Sequence, residues 1–146
     1  MAEAQILSIT PERLGELLQA AGYRVEHRRD DNGTPLIASA TGGVSFNVRL
    51  GNRAQPPVEG YLDFTYLTVI RFEGGDFPLD RVNEWNRTKR FGRLHRVSDF
   101  IVFDMDVIAA AGVTERHLRA TLELWDRLIQ ELMVWLRGAS APANAA

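Results

Sequence analysis

The chain contains no cysteine, so disulfide frameworks, thiolate metal sites and cysteine nucleophiles are all excluded. Lysine is nearly absent too: sixteen of the seventeen basic residues are arginine, and Lys89 is the single lysine. That bias, with abundant alanine, reads as the codon usage of a GC-rich bacterial genome and carries no chemistry. No apolar run approaches the roughly 20 residues that a membrane-spanning helix requires, so no membrane partner is expected. The opening residues Met1-Ala2-Glu3-Ala4-Gln5-Ile6-Leu7 lack a positive n-region and an apolar h-region, which points to the cytoplasm. Charge of one sign is missing as well. Seventeen basic against nineteen acidic side chains leave a net charge of −2, whereas dedicated polyanion binders lean well positive. What remains is ordinary globular material: 146 residues, 45% apolar and 25% charged. A chain of this size forms one domain and buries about 70% of its unfolded surface without covalent or metal staples.

Periodicity supplies the elements. Thr10-Pro11-Glu12 reads as an N-cap, a first-turn proline and a dipole-matching acid, and Leu14, Leu17, Leu18 and Ala21 then repeat at helical spacing up to Gly22. Strands are expected at Tyr23–His27, Leu36–Ala40, Val44–Leu50 and Tyr61–Phe72, with Asp31-Asn32-Gly33 as the first hairpin turn. In the third of these, Val44, Phe46, Val48 and Leu50 alternate with Ser45, Asn47 and Arg49, one face dry and one wet. A helix from Pro78 to about Phe91, closed by Gly92, precedes strands Arg93–Val97 and Phe100–Val107. The last helix runs from 115 to about 137. The expected class is α+β: an antiparallel sheet with helices packed on one face, in the order α-β-β-β-β-α-β-β-α. Residues 7–137 form the domain, and 138–146 are a loose tail.

No assembled chemistry is visible. His27, His95 and His117 have no spacing that would bring two imidazoles together, so neither a metal nor any other cofactor is expected. No nucleophile elbow, Walker A loop or dinucleotide fingerprint occurs, and no residue is assigned a catalytic role. Asp104 and Asp106 share a face of one strand, where the solvated side of a half-buried strand explains them better than acid/base work does. Arg81, Arg87, Lys89, Arg90, Arg93 and Arg96 crowd one region beside Trp85 and Phe91. That cluster straddles a helix and a strand, its charges point in several directions, and some are expected to pair with Asp104, Asp106 or Asp63. Nucleic acid is therefore not the expected partner.

Two features ask for more. Leu79, Val82, Asn86 and Arg90 share a face of the second helix with Asn83 beside them, and a buried asparagine there must find partners. Asn83 and Asn86 either tie the helix to nearby backbone or, with Trp85 and Arg90, mark a partner or ligand surface. On the last helix Leu118, Leu122, Trp125, Ile129, Leu132, Met133 and Leu136 form the core stripe, and Leu124, Leu128 and Trp135 widen it beyond what one sheet needs. A second copy of the chain, or a client polypeptide, is expected to cover that flank.

The run Leu79-Asp80-Arg81-Val82-Asn83-Glu84-Trp85-Asn86-Arg87-Thr88-Lys89-Arg90-Phe91-Gly92-Arg93, through Asn83, Trp85, Asn86, Arg90 and Phe91, resembles the YbjN family of bacterial proteins. The likeness extends through the strand pair and Gly112-Val113 into the long helix. It covers residues 61–136 well, and residues 7–50 in element order. The resemblance implies a fold similar to type III secretion chaperones, often dimeric, a role in sensory transduction, and no enzymatic activity. Relatives bearing this motif often carry cysteines before the Tyr61 strand, and some look exported. This chain has neither feature, so no redox or envelope role is carried over. The reading is a non-enzymatic protein-binding homodimer, chaperone-like or regulatory, with a client or regulatory protein as partner. A small-molecule sensor with a pocket between sheet and helices near Asn83, Asn86 and Arg90 is the alternative.

Overall fold

Thr10 accepts a hydrogen bond from the Arg13 backbone N–H at 3.1 Å, and Pro11 opens helix α1 (Pro11–Ala20), as the cap sequence requires. The computed structural model describes residues 3–139. A short strand β1 (Gln5–Ile6) precedes the helix, and strands β2 (Glu26–Arg29), β3 (Pro35–Thr41), β4 (Val44–Leu50) and β5 (Asp63–Arg71) follow it. Helix α2 (Leu79–Thr88), strands β6 (Arg93–Val97), β7 (Phe100–Ile108) and β8 (Val113–Thr114), and helix α3 (Glu115–Ala139) complete the chain. Six strands form one antiparallel sheet in the order β2-β3-β4-β5-β7-β6, and β1 pairs with β8 apart from it. The protein is thus α+β, with the element order read from the sequence and one small two-stranded sheet added.

Alternation decides the layers. Phe46, Val48, Phe64, Tyr66, Ile101 and Phe103 point to one face and are buried there against the helices. Trp125 of α3 stacks on Tyr66 and Phe103, with ring centroids 5.5 and 5.3 Å apart, and meets Phe46 edge-on. On the opposite face the register aligns Ala38, Asn47, Leu67, Asp104 and Arg93 in one row across five strands. Arg93 is therefore the direct neighbour of Asp104, and its Nε donates at 2.8 Å while Nη2 reaches Asp106 at 3.3 Å.

α3 is pinned across the sheet by one carboxylate. Asp126 accepts the Tyr23 hydroxyl at 2.5 Å and the Thr41 hydroxyl at 2.7 Å. Burial pushes that carboxyl up, but the hydrogen bonds from Tyr23, Thr41 and Gln130 outweigh it and hold it below the ordinary aspartate value. Burial, and then the bond to Asp126 and its charge, push Tyr23 up to about 12.

Several expected bounds move. β2 begins three residues later than the sequence pattern placed it, because Tyr23 leaves the sheet direction to reach α3. α2 stops at Thr88 rather than Phe91, with Lys89 already extended. Residues 138–139 belong to α3 rather than to a tail, and the rest of the expected tail, 140–146, lies outside the described residues.

The α3 flank is more covered than its sequence pattern suggests. Leu128 is only 5% exposed, and Leu124 and Trp135 are half-buried against the core. Trp135 lies between Phe77 and Trp85, at 5.8 and 5.2 Å, and the Arg81 guanidinium covers its ring at 4.4 Å. The sheet covers one side of α3, and Phe77, Trp85 and Arg81 cover much of Trp135 on the next, so part of the wide stripe is buried within the subunit.

Candidate functional site

The second helix and the turn after it hold the residues singled out in the sequence, and they divide into two groups. Trp85 and Val82, not Leu79 and Arg90, face the core. Trp85 is fully buried, meets Phe103 edge-on at 5.4 Å, and donates its indole N–H to the Gly92 carbonyl at 3.3 Å. Asn86 donates to the Leu94 carbonyl at 2.7 Å and accepts the Leu94 N–H at 2.9 Å. β6 is an edge strand, and this one amide satisfies both outward groups of its second residue, blocking further pairing at that position. Lys89 ties the end of α2 to Glu131 of α3 at 2.9 Å. Asn86 therefore has the backbone-tying role weighed for it.

Asn83 does not. It is exposed, and its side chain makes no hydrogen bond among the described residues. Leu79, 57% exposed, lies on the same side of α2 as Asn83 and Arg87 by helical spacing. Arg87 and Arg90 are exposed and have no ion-pair partner among the described residues, and the Arg90 guanidinium sits 4.9 Å from the centre of the Phe91 ring. The other members of the basic cluster are engaged: Arg81 with Glu84 and Trp135, Lys89 with Glu131, Arg93 with the two aspartates, and Arg96 with the Phe77 carbonyl at 3.1 Å.

Phe91 is the residue sequence reasoning valued only as part of a motif. Its φ is 74°, and the Gly92 N–H bonds back to the Arg90 carbonyl at 2.9 Å, so Phe91 centres a positive-φ γ-turn. A bulky residue held there carries strain of about 1–3 kcal/mol. The adjacent glycine cannot relieve it, because it answers a different demand. A Cβ on Gly92 would fall 2.2 Å from Cζ of Phe103, so that position needs the absence of a side chain. The left-handed position goes instead to Phe91, whose side chain is 59% exposed. Nothing in the residue types forecasts this, although a lone aromatic before a glycine at a helix end is the place to look.

Clefts lie elsewhere. One of about 710 Å³ is lined by Thr10, Arg29, Arg53 and Tyr61 among others, and one of about 620 Å³ by Ile70, Phe72, Met133 and Arg137 among others. Neither includes Asn83, Asn86 or Arg90. Asp104 and Asp106 are held by Arg93, and Thr65 donates to Asp106 at 2.6 Å, which leaves them a closed ion cluster on the open sheet face. No three metal-ligating side chains gather among the described residues. Nor is any helix there long and apolar enough to cross a membrane.

The fold and this corner define a two-layer α+β domain with a rigid helix–edge lock that presents an exposed basic and apolar face. The chain belongs to the YbjN family: the family model, described as "Putative bacterial sensory transduction regulator", matches residues 10–137. That description is of a regulator and not of an enzyme. Searches of the curated proteins and of the solved structures returned no match.

Proposed function

We propose that this protein is a non-enzymatic regulatory domain of the cytoplasm that works by binding another polypeptide on the face formed by α2 and the Arg90–Gly92 turn. The observation that carries the reading is the division within α2. Trp85, Asn86 and Lys89 lock the helix and its end to their neighbours, while the side chains of Leu79, Asn83 and Arg87, with Arg90 just beyond, are left in solvent. A rigid platform bearing unengaged side chains keeps the entropy cost of association low. The family description, a sensory transduction regulator, is in keeping with this. The test is a photo-crosslinking amino acid placed at Asn83 and, as control, at Val134, which is also exposed, at 63%. A discrete heavier adduct from position 83 alone, formed in living cells, is the expected result. No adduct from 83, or the same adducts from both positions, overturns the reading. Light scattering of the pure chain reports separately whether a second copy is the partner.

A further inference from the structure

We infer that the partner segment is acidic and carries a large apolar side chain that packs on Phe91; this rests on the reading just given and specifies its chemistry. Three observations converge. Phe91 is an aromatic held at φ 74° with 59% of its surface in solvent, so the fold bears the conformation without using the ring as core. Exposed aromatics in rigid settings are the anchors from which most binding energy comes. Arg87 and Arg90 lie near it in the chain with no ion-pair partner among the described residues, whereas the neighbouring cations Lys89 and Arg93 are already paired. Charge complementarity therefore calls for carboxylates opposite.

The same charges argue against a second copy of this chain. A two-fold contact centred on Phe91 would set Arg87 and Arg90 against their own equivalents, with like charges facing across the interface. A nucleic acid would satisfy the arginines and stack on the ring. Yet it gains nothing from Leu79, at the far end of α2 and about 14 Å away along the helix. An extended or helical acidic segment with spaced apolar residues matches both ends.

The experiment uses the full chain and three labelled peptides: an acidic one with a central leucine, the same sequence with that leucine changed to serine, and a basic counterpart. A single-stranded oligonucleotide is the fourth probe. Fluorescence anisotropy is expected to show binding of the acidic leucine peptide only. Affinity should weaken about tenfold or more for Phe91→Ala and again for Arg87→Glu with Arg90→Glu, and should fall as salt rises. Phe91→Gly separates anchor from scaffold. Glycine adopts this φ freely, so Tm should equal or exceed that of the unaltered chain while peptide affinity drops as in Phe91→Ala. A Phe91→Gly protein that melts lower and binds as before would make Phe91 structural and overturn the inference. So would preference for the basic peptide or the oligonucleotide, or no binding at all. An adduct from position 83 that persists when the acidic peptide fails leaves the docking face standing and refutes only its chemistry, whereas loss of that adduct refutes the face itself.

Discussion

Trp135 shows how much one residue's neighbours matter. On a helical wheel it widens a stripe, and in the fold it fills the angle between α2 and α3 beneath Arg81. Trp135→Ala is therefore expected to cost about 2–3 kcal/mol of stability, read from denaturant unfolding, rather than to release a well-folded monomer from a dimer. A variant of unchanged stability and halved mass in light scattering would restore the α3 flank as an interface. Tyr23 makes a second prediction at this scale. Its folded-state value, about 12, lies above the ordinary 10.0, so the stability it adds is complete below pH 10 and is lost as pH rises from there through 12. Tyr23→Phe should remove that part of the alkaline decline, as seen in paired unfolding curves across this range. Asp126 has the opposite sign: its depressed value makes stability fall as pH drops below the ordinary 3.8 and through the folded value.

At the scale of elements, sequence reading succeeded where one face is dry. β4 was legible over Val44–Leu50 and β6 over Arg93–Val97, because period-two burial leaves its mark in residue type. It failed where a distant partner sets the bounds. β1 exists only because Gln5 and Ile6 lie beside Thr114 and Val113, a pairing across more than a hundred residues that no local window contains. The start of β2 was displaced by the Tyr23–Asp126 bond, and the end of α2 by the turn at Phe91. Of the candidate cluster, the structural role open to Asn86 was foreseeable from its place on an apolar face. The exposure of Asn83 and the φ of Phe91 were not, since neither follows from composition. The lock between α2 and β6 yields two expectations. Asn86→Ala strips both outward groups of Leu94 of their partner and should cost about 1–2 kcal/mol in unfolding experiments. Gly92→Ala drives a methyl into the Phe103 ring and should cost about 3 kcal/mol, with exchange of the β6 amides accelerating in both variants.

For the whole molecule, the helices and the inner sheet face close a single core, and the surface left over includes an open sheet face and the α2 corner. The sheet face carries its own ion cluster, Arg93 with Asp104 and Asp106, whereas at the corner Arg87 and Arg90 have no ion-pair partner among the described residues. The proposed docking face thus moves recognition from the α3 flank, where the sequence pattern pointed, to the other side of α2. Hydroxyl-radical footprinting of the protein, alone and crosslinked to its cellular partner through position 83, tests that move most directly. Oxidation of Phe91 and Leu79 should fall severalfold on complex formation while Met133 and Trp135 stay at their free-protein rates. Protection confined to Met133 and Trp135, with Phe91 oxidised as before, would contradict it.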